Sequence, residues 1–102
     1  MATVVVVIIR EHDTVEHICD ASHMSPYVSD IIGQSVTFVG AWGDVSMLGG
    51  LQPDLSRPVI EPSRLPNGCD PNLRPPLVVT KLDESFEPVD FTLQDYAALL
   101  LR

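Results

Sequence analysis

Thr3-Val4-Val5-Val6-Val7-Ile8-Ile9 is an unbroken run of β-branched residues. Two substituents on Cβ leave few χ1 rotamers inside a helix and pack well on a pleated surface, so the run reads as a strand. A strand with one wet face would show a polar residue at every second position. None interrupts this run, so both faces are expected to be covered and the strand to be the central member of a layered fold. Arg10 and Glu11 end it. The apolar start from Ala2 to Ile9 is too short to span a bilayer and has no basic region before it, which argues against a transmembrane helix or a signal peptide.

Working outward, residues 11–24 carry acids and all three histidines, with Val15 and Ile18 as the only clear apolar anchors. This composition reads as a loop or short irregular turn. Ser25-Pro26 then gives an N-cap followed by proline at the first helical position, and Gly33 stands where a helix C-terminus wants a left-handed residue. A short helix over 26–32 is expected, burying Val28, Ile31 and Ile32. Val36-Thr37-Phe38-Val39 is a second strand, and the 11–35 connection with its helix is long enough for a right-handed crossover to a parallel neighbour. Residues 40–50, with four glycines around Trp42 and Met47-Leu48, fit a bent strand, a tight turn or one helical turn equally well.

Seven of the nine prolines fall between Pro53 and Pro76. Proline fixes φ, lacks an N–H and restricts the residue before it, so 53–76 holds neither a regular helix nor a central strand. A long connection of this kind inside a small domain is usually functional surface or disordered. Leu55, Val59, Ile60, Leu65 and Leu73 recur along it, more apolar residues than a disordered linker carries, so the segment is expected to lie along the domain with these side chains docked and to meet a partner there.

Beyond it, Leu77 to Leu82 reads as a strand, Asp83-Glu84-Ser85 as a turn and Phe86 to Asp90 as a short extended piece. Thr92 with Asp95 three residues on forms a capping box for a helix over 93–101, whose Leu93, Tyr96, Ala97, Leu100 and Leu101 share one face. The expected architecture is α+β: a single two-layer domain over 1–102, with a three- to four-stranded sheet covered by two helices and a long Pro-rich surface loop at 53–76. Val5, Val7, Ile9, Phe38, Val78, Leu93, Tyr96 and Leu100 are its expected core.

Composition bounds function. Hydrophobic residues make up 45% and charged residues 20%, as in a folded globular chain. Fourteen acidic against six basic side chains give a formal charge of −8, without the basic face that phosphate contacts require. Nucleic acid is therefore not an expected partner, nor is an anionic membrane surface. Cys19 and Cys69 make no disulfide framework, so an intracellular, reducing setting is expected rather than a secreted one.

His12, His17, Cys19 and His23 are four side chains of transition-metal ligand type within twelve residues, and zinc takes four such ligands in a tetrahedron. Their spacing lacks the two close pairs separated by a longer loop that zinc sites usually show. No cysteine-enzyme string, no G-x-S-x-G and no phosphate-cradling glycine loop occurs. Asp83, Glu84, Glu87 and Asp90 lack the order of a calcium loop and read as a solvated hairpin tip.

Two longer stretches carry a resemblance. Met24-Ser25-Pro26-Tyr27-Val28-Ser29-Asp30-Ile31-Ile32-Gly33 running into Val36-Thr37-Phe38-Val39-Gly40 is one. The other is Pro76-Leu77-Val78-Val79-Thr80-Lys81-Leu82-Asp83-Glu84 followed by Pro88-Val89-Asp90-Phe91-Thr92-Leu93-Gln94-Asp95-Tyr96. Together they resemble small uncharacterised proteins encoded by large DNA viruses of algae and other protists. The resemblance implies a virus-encoded protein acting in the virion or the infected host cell, and assigns no catalytic residue. Residues and resemblance lead to one expected reading, a non-enzymatic acidic interaction or assembly protein whose partner is another protein or its own copies, with no cofactor. The alternative is a small zinc-binding or catalytic domain built on His12, His17, Cys19 and His23.

Overall fold

The first strand, β1 (Thr3–Ile9), is flanked on both sides, as an all-apolar run requires. The structure, a computed structural model, describes residues 2–102. β1 pairs along its whole length with β2 (Thr14–Asp20), from Thr3 opposite Asp20 to Ile9 opposite Thr14. Its other edge pairs with β5 (Leu77–Leu82). β3 (Val36–Trp42) and β4 (Val45–Gly50) complete the order β2-β1-β5-β4-β3, and β6 (Pro88–Val89) adds to β5. Helices α1 (Met24–Ile32) and α2 (Leu93–Leu100) lie outside the sheet.

The expected three- to four-stranded sheet is therefore corrected to a six-stranded one in which every pairing is antiparallel. Two elements account for the difference. Residues 14–20 form a strand where the polar composition suggested a loop, because an edge strand needs only one covered face. Residues 40–50 form a hairpin whose loop is Gly43-Asp44, with Gly43 at φ 61° supplying the left-handed residue that so tight a turn demands. Among the described residues no parallel crossover exists. β1 is internal, while β5 is the central strand, paired with β1, β4 and β6.

Side-chain alternation divides the core in two. On one face Val4, Val6, Ile8 and Val78 pack with Cys19 and with Val28 and Ile32 of α1. On the other, Val7, Ile9, Val45, Met47, Leu77 and Val79 meet Phe91, Tyr96 and Leu99 around α2, together with Ile60, Leu65 and Leu73 of the proline segment. The sheet is thus covered on both sides, and 53–76 is part of one cover. Its only regular element is a 3-10 turn, Pro62–Arg64. Each of its three buried aliphatic side chains contributes about 1.5–3 kcal/mol relative to exposure.

Polar anchors fix this strap in register. The Ile60 N–H donates to the Leu73 carbonyl at 3.1 Å, tying its two halves together. Arg64 donates to the carbonyl oxygens of Arg10, Glu11 and Asp13 at 2.6, 3.0 and 2.6 Å, which clamps the strap onto the β1–β2 turn.

α1 begins earlier than Ser25-Pro26 suggests. Asp20 caps a preceding 3-10 turn, Ala21–His23, by accepting from the Ser22 N–H, and α1 continues directly from it. Gly33 closes α1 at φ 77°, its N–H donating to the Ser29 carbonyl. α2 carries the capping box expected at Thr92 and Asp95. Of the expected core, Val7, Ile9, Val78 and Tyr96 are buried, and Val5 and Leu100 are half-buried. Phe38 is 72% exposed because β3 is an edge strand, and Leu93 opens to solvent in the first turn of its helix.

Candidate functional site

β2 decides the fate of the histidine and cysteine cluster. His12 sits in the turn before the strand and His23 on the 3-10 turn after it. A strand of seven residues separates them by about 20 Å, while zinc draws its ligands to about 2 Å from one point. His17 and Cys19 share the α1 face, opposite Val6 and Val4. Cys19 is buried in the core below α1, where burial and then Asp20 push its thiol up, away from the thiolate that a nucleophile or ligand needs. His23 Nδ1 lies 3.2 Å from Asp20 Oδ2. Among the described residues no group of three or more His, Cys, Asp or Glu is placed to hold a metal ion. His12, His17, Cys19 and His23 therefore do not converge on one point.

Two of the four carboxylates from Asp83 to Asp90 bond the backbone. Asp83 Oδ1 accepts from the N–H groups of Ser85 and Glu87, and Asp90 Oδ1 accepts from Val5 N–H at 2.9 Å. Of the five apolar strap residues, Ile60, Leu65 and Leu73 are buried, while Leu55 is 75% and Val59 44% exposed.

A cleft forms where the C-terminus of α1 meets the ends of the strap. Two adjoining concavities of about 340 and 560 Å³ share Ile32, Gly33, Arg57, Pro75 and Pro76. The smaller is walled by Gln34, Asp54 and Arg74 and floored by Gly49 and Gly50. Arg10, Glu11, His17 and Tyr27 line the larger. Three of the six basic residues of a −8 chain thus meet at one concave place, facing two carboxylates.

The donors there are unequally engaged. Arg10 is held by Asp13 through two hydrogen bonds of 2.6 and 2.5 Å, which keep the Asp13 carboxyl below the usual range. Arg57 faces Asp54 at 3.7 Å, with both groups about half exposed. Arg74 donates from Nη1 to the Arg57 carbonyl at 2.5 Å, but its Nε is buried without a partner among the described residues, as is the Tyr27 hydroxyl. Burial, then Cys19, pushes the Tyr27 phenol up, so it remains a neutral donor.

The wall is built by small devices. The Gln34 side chain mimics a strand by donating to the Gln52 carbonyl and accepting from the Gln52 N–H, both at 2.8 Å. It lies across Gly50, where any Cβ would collide with it. Gly49 likewise leaves room for Leu77, 2.9 Å from the position a Cβ would take. The arginines escaped sequence reasoning because they lie far apart in the chain. The β3–β4 pairing, extended by the two Gln34 bonds to Gln52 and by the Leu51 N–H donating to the Ser35 carbonyl at 2.8 Å, brings the end of α1 and the start of the strap together.

Sheet order and coverage define a β-rich single-sheet domain with an arginine-lined cleft. Residues 6–99 match the model of a family of unknown function, DUF5880, and the chain belongs to that family. No curated protein and no solved structure matches it.

Proposed function

We propose that this chain is a non-enzymatic interaction protein that holds an acidic, extended segment of a partner protein in the cleft between α1 and the strap. The observation that carries the reading is Arg57 at the junction of the two concavities, with Arg74 lining one and Tyr27, whose hydroxyl has no partner among the described residues, lining the other, on an otherwise acidic molecule. Guanidinium groups bind carboxylates through paired N–H donors, and the surrounding Ile32, Pro75 and Pro76 supply apolar contact for the segment's backbone and stems. At physiological salt, charges more than about 8 Å away are largely screened, so the remote acids of the −8 surface oppose such a segment less than the contacting donors attract it.

The proline strap serves this reading as wall and positioning device, since it carries Arg57 and Arg74 at its two ends. The resemblance to proteins of large DNA viruses supports a virus-encoded origin and a role inside the host cell or the virion. No membrane surface or nucleic acid enters the proposal.

The test is a fluorescence titration with short Asp- and Glu-rich peptides, with Lys-rich peptides of equal length as controls. Acidic peptides should bind, and Arg57→Ala and Arg74→Ala should each weaken binding by about 1 kcal/mol, or about fivefold. Equal binding of both peptide classes, or insensitivity to both substitutions, overturns the proposal.

A further inference from the structure

The two edges of the sheet differ. β3 is interrupted by a register shift between Phe38 and Gly40, and the Trp42 indole folds back over Gly40. Bulges of this kind protect an edge from pairing with another chain. β2 has no bulge, and its charges are the carboxylates of Glu16 and Asp20. Its seven residues pair with β1 in unbroken register and include no proline, glycine or lysine.

The orientation of its backbone follows from Val5. The Val5 N–H donates to Asp90 Oδ1 and its carbonyl accepts from Phe91 N–H, both at 2.9 Å, so the polar groups of Val5 point away from β2. Alternation then turns those of Val4, Val6 and Ile8 toward β2, where they meet Cys19, His17 and Val15. The N–H and C=O groups of Thr14, Glu16, Ile18 and Asp20 therefore face outward. Those of Thr14, Glu16 and Ile18 meet no partner from a turn, loop or cap among the described residues, while the Asp20 carbonyl leads into the 3-10 turn Ala21–His23. The Ile18 side chain is 69% exposed beside them.

We infer that β2 pairs antiparallel with β2 of a second copy of this chain, joining two sheets across a two-fold axis at His17. The choice of a second copy rests on the residue pattern of the strand, which can pair with itself in one register without opposing two carboxylates. Outward-facing residues must oppose outward-facing residues, which restricts the central registers to axes at residues 16, 17 or 18. An axis at Glu16 sets Glu16 against its own copy, and an axis at Ile18 sets Glu16 against Asp20 twice. Directly opposed like charges destabilise a strand pair. The axis at His17 alone opposes no two carboxylates. It sets Thr14 against Asp20, Val15 against Cys19 and Glu16 against Ile18. It also brings the two exposed Ile18 side chains within diagonal reach of each other. The axis stands perpendicular to the sheet, so both α1 faces and both clefts end on the same side of the assembly.

Sedimentation over a dilution series of the full chain tests this, with circular dichroism confirming the fold of each variant. The 11.2 kDa chain should associate to twice that mass, and more strongly as added salt screens the −8 charge on each copy. Ile18→Pro removes only an outward N–H, so it should leave the fold intact and weaken the dimer at least about tenfold, two intermolecular bonds being lost. Under mild oxidation His17→Cys should cross-link the dimer, because residues at the axis face each other at about 4.5 Å between Cα atoms, whereas Ile18→Cys should not. A chain that stays at monomer mass at every concentration overturns the inference and leaves the edge to a strand of another protein. Cross-linking through Ile18→Cys in preference to His17→Cys overturns the register.

Discussion

The Tyr96 hydroxyl donates to the Arg64 carbonyl oxygen at 2.6 Å, joining α2 to the proline strap over the sheet. Arg64 in turn grips the β1–β2 turn with its guanidinium. One residue of the strap thus reads both neighbours, with its backbone on one side and its side chain on the other.

Tyr96→Phe should cost about 1–2 kcal/mol in urea unfolding, because it leaves the Arg64 carbonyl without its donor. Burial first, and then Cys69, hold the Tyr96 phenol well above its ordinary value. An unfolded tyrosine ionises near pH 10, so the contribution of Tyr96 is complete below about pH 10 and is lost as pH rises toward its folded value. Stability should fall in alkali less steeply in Tyr96→Phe than in the parent chain.

The reciprocal cap of α2 gives a prediction at the acid end. Thr92→Ala should cost about 1 kcal/mol. The Thr92 N–H bonds the Asp95 carboxylate and holds its pKa below the usual range, so this stabilisation is present above about pH 3.9 and is lost as pH falls through the folded value. Asp95→Asn should remove that part of the acid dependence, which melts recorded between pH 2 and 6 would show.

Gly50 and Gln34 should behave as one unit. Gly50→Ala displaces the Gln34 side chain and breaks its two bonds to Gln52, with an expected cost of about 1–2 kcal/mol. Once Gln34→Ala has removed that side chain, adding Gly50→Ala should cost little more. A double-mutant cycle measures this, and additive costs would show that Gln34 does not rest on Gly50.

Position in the sheet should separate two apolar residues that look alike in sequence. Val7 is fully buried, and Val7→Asp should not fold, because an unpaired buried charge exceeds the stability of a small domain. Phe38→Ser on the β3 edge should stay within about 0.5 kcal/mol of the parent in thermal melts.

These contrasts show where the sequence was legible. β1, the Gly33 stop and the Thr92–Asp95 cap could be read because each signal is local: an uninterrupted β-branched run, a left-handed residue, a reciprocal pair. β2 could not, since Ile18 breaks the alternation that Val15 and Cys19 begin, and only an edge strand tolerates an exposed isoleucine there. Gly43-Asp44 between apolar runs was a readable hairpin signal, masked by the neighbouring glycines. The cleft was illegible for another reason. Arg10, Arg57 and Arg74 converge only after the sheet closes in an order that no local pattern encodes.

The central claim is that residues 53–76 form a wall of the fold and of its cleft, with their apolar side chains inside. Native-state hydrogen exchange at the Ile60 amide, which donates to the Leu73 carbonyl, tests it most directly. The account predicts that this amide exchanges only with global unfolding, at the free energy measured for the Val7 and Val79 amides in the sheet. Exchange at the rate of an unstructured peptide, with those sheet amides still protected, would contradict it.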